Sequence, residues 1–368
     1  MQTIVRHTRR VLSLLAVPSC MFGLVVAGSA GADPHRLLGD VQTLAAVPSP
    51  GFPEGIAVDN KTVYVAGPAR FGTAGDGQPS TVFAYDIPSG ALLTTYEIQG
   101  ENLAFDHANS CIALDHDHRL YVINLQLGVV RLDVATGAQE IYSPPVPDLP
   151  TCGAAPGGPC SPTFIDLPPL ANDIAFDEDG FAYITDSFQA TIWRIPPGGG
   201  PAEIWFQDGS LATPFGPNGL RVDPTGTKVY FAVTAEGVDG TGAFTGGKIY
   251  WLPRIDAPTA ADLHVFHQYH GEAPDGIAFG KRGDLYVALA APFRSGISVL
   301  SPDGVETARY SNPFDPFAPF DSPANIAFDR KGSLLVTNHA FLTGVPSHFT
   351  VLDVWVDDKG TRLEEPEL

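Results

Sequence analysis

Positive charge is scarce in this chain. Its 368 residues carry 21 Lys and Arg against 41 Asp and Glu, a formal net charge of -20. A surface of that sign repels phosphate, which argues against nucleic acid and anionic membrane as partners. Cysteine is nearly as rare. Cys20, Cys111, Cys152 and Cys160 are the complete set, and their spacing suggests neither a zinc site nor a cysteine nucleophile. Few windows show the apolar spacing of an amphipathic helix. Beyond the first 32 residues no run is long and apolar enough to span a bilayer as a helix.

The one long apolar run lies at the start. Arg6, Arg9 and Arg10 precede an apolar stretch from Val11 to Val26, and small residues follow in Gly28-Ser29-Ala30-Gly31-Ala32. This pattern predicts a signal peptide over residues 1–32, cleaved near Ala30 or Ala32, and a secreted protein, extracellular or periplasmic. Pro18 just before Ser19, and the apolar residues beyond Cys20, fit a lipoprotein anchor badly. Cleavage moves the net charge to -23, since three Arg and no acids are removed. In an exported chain Cys152 and Cys160, which flank a Gly/Pro loop, are expected to form a local disulfide. Cys111, beside an Ile-Ala-Leu strand, is expected to be a buried free thiol.

What the chain has in abundance is turns and short β runs. Gly numbers 39 and Pro 34, and runs such as Val63-Tyr-Val-Ala66, Leu120-Tyr-Val-Ile-Asn124 and Leu285-Tyr-Val-Ala288 recur. One short phrase is written six times: Glu54-Gly-Ile-Ala-Val-Asp59, Ser110-Cys-Ile-Ala-Leu-Asp115, Asn172-Asp-Ile-Ala-Phe-Asp177, Asn218-Gly-Leu-Arg-Val-Asp223, Asp275-Gly-Ile-Ala-Phe-Gly280 and Ala324-Asn-Ile-Ala-Phe-Asp329. In most copies a turn, a second β run, a third strand and a short turn to a fourth follow. Four antiparallel strands at a period near roughly fifty residues make a propeller blade. A β-sandwich would not repeat one phrase six times, and a β-helix coil is much shorter. The sequence therefore predicts an all-β, six-bladed β-propeller as one domain over residues 33–368. Val41 to Val47 is expected to supply the outer strand of the last blade, closing the ring and hiding sheet edges.

A ring brings equivalent positions to one axis. The first residues of the six copies are Glu, Ser, Asn, Asn, Asp and Ala, so Glu54, Asn172, Asn218 and Asp275 would converge as four oxygen donors. Two carboxylates and two amide carbonyls are hard ligands whose charge cancels a divalent cation. They favour calcium, with magnesium or manganese as substitutes and zinc disfavoured. Four protein ligands leave coordination positions open for water or substrate. The longest connections, Gly67 to Ser80, Ser143 to Leu170, Ala235 to Gly247, Ala290 to Ser295 and Ser311 to Pro323, all fall on the face where these donors emerge. That clustering marks the binding side.

The four motifs Glu-Gly-Ile-Ala, Asn-Asp-Ile-Ala-Phe-Asp-x-x-Gly, Pro-Asn-Gly-Leu and Pro-Asp-Gly-Ile-Ala-Phe resemble the SMP-30/gluconolactonase/luciferin-regenerating family, over essentially the whole mature chain. The related paraoxonases and diisopropylfluorophosphatase share its calcium-dependent six-bladed propeller. The resemblance implies that Glu54, Asn172, Asn218 and Asp275 bind calcium directly. It further implies a hydrolase of lactones or of aryl and phosphate esters, with Asp275 as base or nucleophile. Sugar-lactonase members carry an Arg two residues before the third-blade Asn. Here Leu170 stands there, which weighs against an aldonolactone.

Other residues are expected on the same face. His339, ending the second strand of blade 6, and His107, in the loop leading into blade 2, are candidate proton shuttles. Asp173 either touches substrate or a second ion, or caps a strand turn. Asp186, ending the second strand of blade 3, is a further polar candidate. The loop from Pro313 to Phe320, with Phe317 at its middle, is read as an apolar lid over a small-molecule lactone or ester, or as a self-packed loop. The competing reading of another class is a non-catalytic, calcium-stabilised propeller that binds a ligand or protein on this face.

Overall fold

The computed structural model describes residues 36–154 and 158–368; the signal-peptide expectation lies outside them. Its 24 strands form six four-stranded antiparallel sheets. Five blades are built from consecutive strands, beginning with inner strands Ile56–Asp59, Asn109–Leu114, Ala171–Phe176, Phe215–Val222 and Pro274–Phe279. The sixth comprises Pro323–Phe328, Ser333–Asn338 and Thr350–Trp355, and Val41–Ala46 joins it as outer strand. Val41 pairs with Val354 and Ala46 with Thr350, so the two ends of the chain close the ring, as the repeat predicted. Among the described residues no helix is long and apolar enough to cross a membrane.

The second strand of a blade is apolar on both faces because both faces are buried. In Thr62–Gly67, Val63 and Val65 pack toward blade 6, whereas Tyr64 and Ala66 pack toward blade 2. This is period-two geometry with two dry faces, which erases the polar alternation of a surface strand. Six apolar clusters result, one between each pair of neighbouring blades. Each fully buried Val, Ile, Leu or Phe contributes roughly 1.5–3 kcal/mol.

The Asp that closes most copies of the phrase holds the next turn. Asp329 Oδ1 accepts the N–H groups of Lys331, Gly332 and Ser333, and Asp177 Oδ1 those of Asp179 and Phe181. A tyrosine of the following strand donates to the other oxygen, Tyr183 to Asp177 and Tyr121 to Asp115. Blade 5 has Gly280 instead. There Asp358, from the C-terminal segment, accepts from Lys281 N at 2.9 Å and faces the Tyr286 hydroxyl at 3.4 Å. A Cβ on residue 280 would collide with that carboxylate.

Two loop expectations are revised. The segment from Ala235 to Gly247 is mostly paired, because Lys228–Val238 and Phe244–Pro253 extend as a long hairpin whose tip is held by Asp239. The loop from Pro313 to Phe320 is no lid. Phe320 is buried in the core, Phe314 is exposed to solvent, and Phe317 packs on Phe293. Asn312 pins the loop through Pro316 O, Phe320 O and Phe320 N. Cys152 and Cys160 form a disulfide, and Cys111 is a buried free thiol.

Candidate metal centre

Each inner strand from blade 2 to blade 6 loses its pairing register at the start of the phrase. In blade 3, Ala171 pairs with Asp186 and Ile174 with Ile184, so Asn172 and Asp173 bulge out opposite Thr185. Blades 2, 4, 5 and 6 carry the same shift. A bulge re-aims a side chain, and here it turns the first residue of the phrase toward the axis. Neighbouring inner strands then touch backbone to backbone. A Cβ on Gly219 would overlap the Asp275 carbonyl, and one on Gly276 would crowd Ala324 O and Asn325. Glycine is required there by that close approach.

A cavity of about 180 Å³ opens at this end of the axis, and Glu54, Asn172, Asn218 and Asp275 all line it. The expected insertions contribute to its wall through Ala69, Arg70 and Phe71, through Pro144 to Val146, and through Ala290 and Ser322. Asn172 Oδ1 and Asn218 Oδ1 are buried and have no hydrogen-bond partner. An orphaned buried carbonyl is costly, and two in one cavity beside two carboxylates fit a cation. Burial pushes the Glu54 carboxyl up to about 8, and the Asp173 charge adds to the effect. Burial also raises Asp275, with Glu54 and Asp173 adding and a hydrogen bond from Asn218 opposing. Among the described residues no three His, Cys, Asp or Glu side chains gather as a metal cluster. The quartet has only two such residues, so any cation here depends on the amides.

Threonines of the second strands hold these donors in place, and sequence reasoning missed them. Thr234 Oγ1 donates to Pro274 O at 2.8 Å, so it can only accept from Asn218 Nδ2, at 2.9 Å. That leaves Oδ1 as the free end of the amide. Thr185 Oγ1 donates to Asn218 O and Thr337 Oγ1 to Glu54 O, each at 2.7 Å. The signal available in sequence was Thr at the same place in Thr185 and Thr337, one strand beyond the phrase; Thr234 stands two residues further along its strand, at the place of Ser187.

His339 lines the cavity. Its Nε2 lies 2.7 Å from the Ala69 carbonyl, which can only accept, so Nε2 carries the proton and Nδ1 keeps its lone pair. Burial lowers its pKa to about 4, against the Ala69 bond and the Asp321 charge. His107 is not brought to the cavity wall. It is fully buried, with its ring nitrogens on Phe105 O and Gln78 O. Asp186 is also absent from the wall and accepts from Leu170 N, Gln189 Nε2 and Trp193 Nε1. Asp173 lies buried beneath the quartet, bonded to Ile174 N, Leu220 N and Arg221. Phe317 is outside the cavity for the packing reason above.

The aromatic wall comes from elsewhere. Phe341 of blade 6 meets Phe71 of blade 1 edge-on at 6.5 Å; Phe71 stacks on Phe188 of blade 3 at 6.1 Å; Phe188 meets Phe215 of blade 4 at 5.8 Å. Of these rings Phe71, Phe215 and Phe341 line the cavity, and with Leu125, Val146, Leu170 and Leu342 they make its mouth strongly apolar.

No protein-family profile matches the chain, and no curated protein matches it. Solved structures do. The chain is similar to regucalcin, a calcium-binding protein from Agrobacterium tumefaciens, at 20% identity and TM-score 0.58, over 86% of this chain and 94% of that one. It is similar to a gluconolactonase from Xanthomonas campestris at 18% identity and TM-score 0.53, over 85% and 88%. These are neighbours of the kind the sequence motifs pointed to. It is also similar to a virginiamycin B lyase from Staphylococcus aureus at 16% identity and TM-score 0.51, over 85% and 98%. Likeness at this level establishes the propeller fold; the chemistry rests on the side chains.

Proposed function

We propose that this protein is a calcium-dependent hydrolase of apolar lactones or of aryl or phosphate esters. The observation that carries the reading is the pair of partnerless amide oxygens of Asn172 and Asn218 in one cavity with Glu54 and Asp275. Two carboxylates and two amide oxygens are a donor set suited to calcium. Calcium bound there would polarise a carbonyl or phosphoryl oxygen and favour the negative charge that develops on it. Asp275 stands in the same cavity as nucleophile or base. His339 offers a fixed Nδ1 lone pair toward which a water could lose its proton, while burial lowers the imidazole pKa and so weakens it as a base. The apolar mouth, with Leu170 and the phenylalanines, favours alkyl or aryl groups over a polyol. We read the protein as secreted, with which the Cys152–Cys160 bridge agrees; the mass of the mature protein tests cleavage near Ala30 or Ala32.

The test is hydrolysis of phenyl acetate, alkyl γ- and δ-lactones and a phosphotriester by purified protein, chelated and then resupplied with calcium. Turnover lost with chelator, recovered with calcium and abolished in Asp275→Ala supports the reading. Calcium binding with no hydrolysis across the panel would identify a non-catalytic propeller that uses calcium as an axial clamp.

A further inference from the structure

The fourth residue of the repeated phrase is Ala in five blades, as Ala57, Ala113, Ala175, Ala278 and Ala327, and Arg221 in blade 4. The crowded axis calls for a small residue at this place. Arg221 is nonetheless 5% exposed, with its guanidinium laid across the axis. Nη1 donates to Asp173 Oδ2 at 2.7 Å and to its neighbour's carbonyl, Leu220 O, at 2.5 Å. Nη2 donates to Asn325 Oδ1 at 3.1 Å, and Asn325 Nδ2 donates to Cys111 Sγ at 2.6 Å.

Asp173, Asn325 and Cys111 are the second residues of their copies of the phrase; the other three copies have Gly55, Gly219 and Gly276 there. The layer beneath the donor quartet therefore contains one carboxylate, one amide, one thiol, three glycines and the Arg221 guanidinium. Arg221 lines a second cavity of about 80 Å³ at the opposite end of the axis and is absent from the wall of the upper one. It stands between the two. Asp173 is fully buried, and a carboxylate so placed needs a positive partner.

We propose that Arg221 is the chain's own cation for this second layer. It neutralises Asp173 and fills the axis, so the protein takes up one divalent cation, at the quartet, and none below it. The proposal rests on the calcium reading of the quartet. It assigns Arg221 a positioning role, since the guanidinium hydrogen-bonds Asp173, Leu220 O and Asn325 and no residue of the quartet itself.

The experiment counts metal. Calcium per chain is measured by equilibrium dialysis with elemental analysis, and thermal unfolding is followed across a calcium titration, for the full chain and for Arg221→Ala. The parent is expected to hold one calcium. Arg221→Ala, which restores the residue of the other five blades, is expected to hold two, with an unfolding midpoint that keeps rising at calcium levels where the parent's has levelled off. Asp173→Asn is the second variant. It leaves a buried cation uncompensated beneath the quartet and is expected to weaken the first calcium by on the order of tenfold or more. One calcium in Arg221→Ala with no added calcium dependence overturns the proposal, as does unchanged affinity in Asp173→Asn if Arg221→Ala does not fold. Two calcium ions in the parent overturn it while leaving the calcium reading of the quartet standing. None in the parent overturns the calcium reading, and the limiting role of Arg221 with it.

Discussion

A single hydroxyl decides which end of Asn218 faces the cavity. Thr234 spends its proton on Pro274 O and so accepts from Asn218 Nδ2. Thr234→Val keeps the shape and loses that acceptor, so calcium affinity should fall about 10- to 100-fold, the usual effect of removing a group that orients a metal ligand. Thr234→Ser should restore it, and a calcium titration of both variants is the check. His339 supplies a pH prediction. Its value of about 4 in the folded protein lies below the ordinary 6.5. As pH falls, the unfolded chain takes up the proton first, so stability is lost from about 6.5 down toward about 4. The shift amounts to roughly 3 kcal/mol. His339→Gln should flatten the acid side of the unfolding free energy over that window, measured by denaturant titration at several pH values. An equal slope in both proteins would remove His339 as the cause. The four donors themselves were legible because they share one slot of a repeated phrase. Thr234 was not legible, since its effect passes through the proton it gives to another blade.

At the scale of elements, the sixth residue of the phrase teaches more by its exception than by its rule. Four copies end in an Asp that accepts N–H groups of the turn after it. Blade 5 has Gly280, and Asp358 reaches its turn from another part of the chain. Asp358→Ala should cost about 1–3 kcal/mol, because Lys281 N–H and the buried Tyr286 hydroxyl lose their acceptor. Adding Gly280→Asp to that variant should recover part of the loss, while Gly280→Asp alone should destabilise by collision with Asp358. Urea unfolding of the three variants separates these outcomes. The repeat made strand order readable from local pattern. It could not reveal the fate of the loop from Pro313 to Phe320, whose rings are divided among core, solvent and Phe293 by tertiary packing.

At the scale of the molecule, closure and the aromatic mouth depend on contacts between distant segments. Removing Val41–Ala46 would leave Thr350–Trp355 as an open edge. The truncated chain should lose cooperative thermal unfolding and aggregate, as unpaired strand edges do. The mouth joins rings from four blades through Phe71. If the proposed hydrolase activity holds, Phe71→Ala should raise KM for long-chain lactones several-fold more than for a short one, with kcat changed little. That pattern marks lost binding shared by ground and transition states.

By itself the sequence determined the number of blades, the slot that carries four oxygen donors, the face that carries most of the insertions, and the ring-closing strand. Each is written in a local pattern that recurs with the repeat. Only the tertiary structure decided which amide atom faces the cavity, that Arg221 lies across the axis to Asp173 and Asn325, that His107 points away, and that Phe71 and Phe341 rather than Phe317 form the apolar wall. Those outcomes depend on proton donors, charges and rings brought together from distant parts of the chain, and no periodicity within one segment records which of them will meet.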